Sequence, residues 1–253
     1  MSSAIYPGLK GRTVIVTGGA SGIGDSIVRA FLSNGSKVVI IDIQDDAAKA
    51  QAEDLKKAGL DVPLYRHCDL MDIPAVEKTM EEIRKTAGPA SVLVNNAAND
   101  TRVAFDEVTV ENFDRSMNVN LRHFFFTARA VSKQMKELGG GSSVNMSSGA
   151  WVAGLPNLQG YSAAKAAIVG LTNSLARQLG EFKIRVNAIG PGMILTERQL
   201  RLWITPEAIA RGLDRQCIHE RVEPADIADA VVFFASDASR MITKQILFVN
   251  GGS

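Results

Sequence analysis

The chain has 253 residues, with 28 Lys and Arg against 27 Asp and Glu, for a net charge of +1 at neutral pH. That balance leaves no electrostatic footprint for nucleic acid or an acidic membrane, so small molecules and other subunits are the expected partners. Length alone permits one large α/β domain or two small ones. Cys68 and Cys217 lie far apart without a partner motif and read as unpaired thiols in a reducing compartment. His67, His123 and His219 show no paired ligand spacing, so no metal is expected and each reads as packing or surface. The opening Met1-Ser2-Ser3-Ala4-Ile5-Tyr6-Pro7 has no basic patch followed by an apolar stretch, and no later run reaches the ~20 apolar residues of a membrane span. A cytoplasmic protein is expected.

In chain order, a β-branched run at Thr13–Thr17 precedes a helical pattern at Gly22–Ser33, and Lys37–Asp42 precedes Asp45–Lys57. Val62–Arg66 then leads to a helix at Pro74–Thr86, and Ser91–Asn95 to one long helix at Val110–Leu138. Ser142–Ser147 is followed by Leu158–Leu179, Ile184–Ile189 by Pro224–Ala235, and Gln245–Val249 is the last strand. This alternation predicts α/β architecture: a single Rossmann-like doubly wound domain over 1–253, with a seven-stranded parallel sheet and helices on both faces. Gly139-Gly140-Gly141 fits a helix stop better than a hinge. The segment 193–220, which carries Trp203 and Pro206, interrupts the alternation and reads equally as a substrate lid or an oligomer contact.

The first strand runs straight into Thr17-Gly18-Gly19-Ala20-Ser21-Gly22-Ile23-Gly24, after which a helix begins. A glycine turn between strand and helix allows close approach of a pyrophosphate, and the helix amino terminus offers unpaired N–H groups and a favourable dipole. Gly18, Ser21, Gly22, Ile23 and Gly24 are therefore candidate dinucleotide contacts. Asp42 ends the second strand, where a carboxylate can accept the adenosine ribose hydroxyls and would repel a 2′-phosphate. Neither Ser21, Ile43 nor Gln44 supplies the cation that NADP would need, so the expected cofactor is NAD. Ile43, the pair Asp69 and Leu70 after strand three, and Asn96 and Ala97 after strand four stand along the same carboxyl edge.

Tyr161 and Lys165, in Tyr161-Ser162-Ala163-Ala164-Lys165, share one helix face. A unit charge about 4 Å from a phenol is worth roughly 4 kcal/mol at an effective dielectric of about 20. That is about three pKa units, which predicts a tyrosine lowered towards neutrality and usable as a base.

Taken together these motifs resemble the short-chain dehydrogenase/reductase family over essentially the whole chain. Gly18 to Gly24 is similar to its TGxxxGxG turn, Asn95 to Ala98 to its NNAG element, Asn120 to the Asn of its helical NxNL pattern, and Tyr161 with Lys165 to YxxxK. Ser148 lies thirteen residues before Tyr161, where the family keeps a catalytic serine, and Pro191-Gly192-Met193-Ile194-Leu195-Thr196 resembles PGxxxT. The resemblance implies that Tyr161 takes the substrate hydroxyl proton, Ser148 donates to the reacting oxygen, and Lys165 tunes the tyrosine and holds the cofactor ribose. It further implies that Asn120 holds a relay water, and that Pro191, Gly192, Ile194 and Thr196 hold the nicotinamide amide. Ser147 and Asn118 are the rivals of Ser148 and Asn120. Ala98 departs from the final glycine of NNAG, and Gly190 stands where alanine is frequent. The family's usual assembly, with the apolar Ile246-Leu247-Phe248-Val249, implies a homotetramer.

The residues expected beside the nicotinamide include Asn99, Asp100, Arg102, Trp151, Asn157, Gln159, Glu197 and Gln199, a hydrogen-bonding set suited to a polyhydroxylated substrate. Asn99, Ser148, Trp151, Asn157 and Tyr161 are the candidate substrate contacts, with Trp151 either stacked on a sugar face or wedged into packing. The opening string, Asn118 to His123, Thr196 to Gln199 and Trp203 to Glu207 resemble the bacterial NAD-dependent sugar 1-dehydrogenases of that family. They imply oxidation of an aldose such as D-xylose, L-arabinose, D-galactose or L-fucose at C1 to the lactone. A secondary-alcohol or 3-oxoacyl reductase and a non-catalytic NAD-binding scaffold are the alternatives.

Overall fold

The computed structural model describes residues 4–253, so Met1 to Ser3 of the opening string lie outside the described residues. Among the described residues one parallel sheet holds β1 (Thr13–Thr17), β2 (Lys37–Asp42), β3 (Leu64–His67), β4 (Val92–Asn95), β5 (Gly141–Met146), β6 (Ile184–Pro191) and β7 (Ile246–Val249). Their order is β3-β2-β1-β4-β5-β6-β7, so the chain reverses direction across the sheet between β1 and β4, the place where such folds bind ligands. β3 starts at Leu64 because Pro63 before it has no N–H to give a ladder and Val62 is exposed.

Period-two alternation sends Val14, Val16, Val38, Ile40, Val92 and Val94 to one face and Ile15, Val39, Ile41 and Leu93 to the other. The first face packs against α1 (Gly22–Ser33), α2 (Asp45–Lys57) and α10 (Pro224–Ala235). The second packs against α3 (Ile73–Ala87), α5 (His123–Glu137) and α7 (Gln159–Leu179). Burying a residue such as Ile15 or Leu93 is worth about 1.5–3 kcal/mol, which makes these two apolar layers the main support of the sheet. No helix among the described residues is long and apolar enough to cross a membrane.

The long helix expected over Val110–Leu138 is broken. It consists of α4 (Val110–Met117), a π-helical turn at Asn118–Arg122, and α5. The Asn120 amide donates to the Ser116 carbonyl at 3.0 Å, the acceptor four residues back that an α-helix reserves for a backbone N–H, and the ladder widens around it. The segment 193–220 also carries order of its own. Beyond the short α6 (Ala150–Ala153) and α7, it holds two helices: α8 (Glu197–Leu202), capped by Thr196, and α9 (Pro206–Arg215), capped by Thr205 with proline at its first position.

Candidate functional site

A cleft of about 2330 Å³ opens at the carboxyl ends of the strands. Its adenosine end is built by the turn between β1 and α1. Gly18 has φ +64, and a Cβ there would come 2.7 Å from the Ala97 Cα; a Cβ on Gly24 would collide with the Gly18 carbonyl. Side chains are thereby excluded from the turn, and the N-cap residue Ser21 makes no side-chain cap bond, so the α1 amino terminus keeps the open N–H groups and space that a pyrophosphate requires. The residues present fit a dinucleotide. Asp42, buried at the end of β2, accepts from the N–H groups of Ala20 (3.0 Å), Ile43 (2.7 Å) and Gln44 (3.1 Å), so this carboxylate also pins the glycine turn. Asn96 clamps the other side, donating to the carbonyls of Thr17 and Gly18 at 3.2 and 2.8 Å. Gly18, Ser21, Gly22, Ile23, Gly24, Asp42, Ile43, Asp69, Leu70, Asn96, Ala97, Pro191, Gly192, Ile194 and Thr196 all line the cleft, as does Ala98.

Ser148, Tyr161 and Lys165 meet at the other end, where β5 and α7 converge. Ser147 and Ser148 are separated by their partners. The buried Ser147 hydroxyl donates to the Lys165 carbonyl at 2.8 Å and accepts from the Trp151 indole at 3.2 Å, whereas the Ser148 hydroxyl acts on the Tyr161 phenol. Lys165 is buried; its ammonium donates to the Met146 carbonyl at 2.8 Å and lies 5.2 Å from the Phe124 ring centre and 5.6 Å from that of Tyr161.

The electrostatics correct the simple charge-pair expectation. Burial pushes Tyr161 up to about 12; the Ser148 hydroxyl and the Arg198 charge act downward and Asp100 acts upward. Burial likewise pushes Lys165 down to about 7, opposed by Asp100. Taking both groups out of water disfavours phenolate and ammonium alike, and burial is the largest influence on each.

Asn120, Trp151 and Gln159 are the three candidates that do not line the cleft. The Asn120 side chain is committed to protein: its amide nitrogen donates to the Asn99 carbonyl at 2.9 Å and its oxygen accepts the Asn99 N–H at 2.8 Å. The side chain thereby anchors the loop after β4. Trp151 is wedged in, its N–H on Ser147 and its ring 6.2 Å from Phe248. Asn99 and Asn157 do line the cleft, Asn157 with φ 59, a left-handed conformation that asparagine tolerates.

Two residues carry more than their spacing announces. Arg198, in α8, pairs with Asp100 while Gln199 donates to the same carboxylate at 2.5 Å, joining the loop after β4 to the 193–220 segment. His123 is fully buried in the cleft wall, donates through Nε2 to the Val119 carbonyl at 3.1 Å, and is pushed down to about 3 by burial and the neighbouring Lys165 charge. Cys68 is buried and Cys217 exposed, both as free thiols.

A family model described as Enoyl-(Acyl carrier protein) reductase matches residues 18–253. The chain is 45% identical to the Rhizobium meliloti (strain 1021) protein named "Probable galactose dehydrogenase GalD", over 100% of this chain and 98% of that one. It is 42% identical to D-xylose 1-dehydrogenase of Caulobacter vibrioides (strain NA1000 / CB15N), over 100% and 99%. A solved 7 alpha-hydroxysteroid dehydrogenase, complexed with NADH and 7-oxo glycochenodeoxycholic acid, superposes with a TM-score of 0.92 at 33% identity, covering 100% of this chain and 98% of that one. With the glycine turn, the serine, tyrosine and lysine at one cleft end and these full-length likenesses together, the chain belongs to the short-chain dehydrogenase/reductase family of nicotinamide-dependent oxidoreductases.

Proposed function

We propose that this enzyme oxidises a cyclic aldose at C1 to the lactone, with NAD as its cofactor. The observation that carries the reading is the chemistry of the cleft wall beside Tyr161, where Asn99, Asp100, Asn157, Arg198 and Gln199 present hydrogen-bonding groups that would be costly against a steroid and suit a sugar. The two full-length relatives named for galactose and xylose support it. When bound, NAD supplies the hydride acceptor. Tyr161 takes the C1 hydroxyl proton at its phenolic oxygen, Ser148 donates to the same substrate oxygen, and Lys165 holds the cofactor ribose and steadies the phenolate. The glycine turn, Asp42, Asn96 and the Pro191 to Thr196 strip hold the dinucleotide. A 3-oxoacyl or secondary-alcohol reductase would work more often with NADPH, against which the Asp42 carboxylate stands.

An aldose panel run with NAD and with NADP tests both halves. At least one of D-xylose, L-arabinose, D-galactose and L-fucose should be turned over, with NAD favoured by at least roughly tenfold in kcat/KM, about 1.4 kcal/mol. Asp42→Ala should narrow that ratio mainly by weakening NAD. Equal efficiency with the two cofactors in the parent sinks the assignment to Asp42.

The 193–220 segment acts in this reading as a lid, joined across the cleft by Asp100 and Arg198. A cytoplasmic homotetramer with two-fold axes completes the proposal. Two separate apolar surfaces support it: Phe105, Val110, Phe113 and Phe125 around α4 and α5, and Met241 and Leu247 at the sheet edge formed by β7. Light scattering at micromolar concentration should return four times the chain mass; a monomer refutes it.

A further inference from the structure

Two bridges cross the cleft between the loop after β4 and the 193–220 segment. In the first the charges are matched: Asp100 pairs with Arg198 and accepts from Gln199. In the second the donors are left over. The Arg102 guanidinium lies 5.2 Å from the ring centre of Trp203, and both side chains line the cleft. Arg102 Nε and Trp203 Nε1 are shut off from solvent without an acceptor, and among the described residues Arg102 makes no ion pair. A donor removed from water and left unpaired is destabilising, and it is tolerated where something else supplies the acceptor.

The place and chemistry of that acceptor follow from the neighbours. Asp100, two residues from Arg102, is close enough for its charge to act on Tyr161 and Lys165, so the second bridge stands beside the reacting pair without belonging to it. The Arg102 charge is already partly met by the indole face. A lone carboxylate would be taken by two parallel donors of one guanidinium fork. Here one free N–H comes from a guanidinium and the other from an indole, so the two are not the parallel fork that a carboxylate takes, and separate hydroxyl oxygens suit them better. Resting on the aldose reading above, we propose that Arg102 and Trp203, uncovered when the 193–220 segment shifts to admit substrate, form the subsite for the ring hydroxyls remote from C1 and thereby choose among aldoses.

Arg102→Met keeps an apolar stem and removes the donors, and Trp203→Phe keeps a ring and removes only the N–H. With the preferred aldose each should raise KM about tenfold while kcat stays within about twofold, because the lost contact is made equally in ground and transition states. NAD affinity should not move. With the deoxy analogue lacking the recognised hydroxyl, the parent should already show the raised KM and the substitutions should add little, the signature of a shared contact. Equal losses with the complete and the deoxy sugar, a fall confined to kcat, or unchanged KM in both variants overturns the subsite. So does a parent that prefers the uronate of the same sugar and loses this preference in Arg102→Met. Tryptophan emission of the NAD-loaded Tyr161→Phe protein titrated with aldose separates the two levels. Absence of binding by any aldose overturns the sugar reading together with the subsite, whereas binding and parental turnover with indifferent Arg102 and Trp203 variants overturn the subsite alone.

Discussion

Tyr161→Phe should lower sugar oxidation by at least about 10²-fold, the low end for loss of a general base, and leave NAD binding within a few-fold of the parent. The substitution deletes a single oxygen from a ring held in the cleft wall, so the fold has no reason to respond. The pH profile adds a second expectation. With the phenol pushed up to about 12 before cofactor binds, Tyr161 is protonated at neutral pH and serves there as a proton donor, the form that reduction uses. Oxidation needs the phenolate, whose fraction grows with pH, so the parental oxidation rate should climb from neutrality to about pH 10. Lys165, pushed down to about 7, loses charge over the same range and should blunt that climb. Near-parental oxidation by Tyr161→Phe would remove the tyrosine from the mechanism and direct attention to Ser148 as the proton's first destination.

The second large effect is on stability. His123 is neutral in the folded protein down to about 3, against 6.5 for an ordinary histidine, because burial and Lys165 oppose a positive charge there. Protons therefore bind the unfolded chain preferentially as pH falls through this window. The stability associated with His123 is intact above pH 6.5 and is lost progressively towards about 3, on the order of 5 kcal/mol in all. His123→Phe preserves an aromatic ring and cannot titrate. In urea unfolding measured in steps from about pH 6.5 to 4.5, the parent should lose up to ~1.4 kcal/mol per pH unit more than the variant. The slope is the readout, so a uniform destabilisation of His123→Phe does not obscure it; parallel curves would show that His123 is not the group responsible.

Sheet and cofactor turn were legible because their signals are local. The β-branched runs at Val14–Val16, Val38–Ile41 and Val92–Val94 recur between amphipathic stretches, and a glycine turn behind a strand has few other uses. What stayed out of sight depends on contacts distant in sequence. Nothing in the composition of Val110–Leu138 announces that Asn120 will reach across to Asn99 and widen the helix. Trp151 carries the same local marks whether it faces a sugar or packs on Phe248, and only the bond to Ser147 decides. The lysine does lie beside the tyrosine ring, 5.6 Å from its centre, but spacing has no measure of solvent, and the loss of water reverses the sign of the expected shift on Tyr161. Thr205-Pro206-Glu207 does hold a helix start, which the regular alternation of strands and helices elsewhere makes easy to pass over.

The grip of Asn120 on Asn99 uses only the main-chain N–H and carbonyl of that residue. Every amino acid except proline offers the same two groups, so the loop that carries positions 99 to 102 is hung from a peg indifferent to its sequence. Its side chains can be exchanged for others without moving the point of suspension. A scaffold fixed in this way can acquire a new substrate preference by rewriting a few letters that line the cleft, while the helical turn that bears the peg and the chemistry behind it stay as they were.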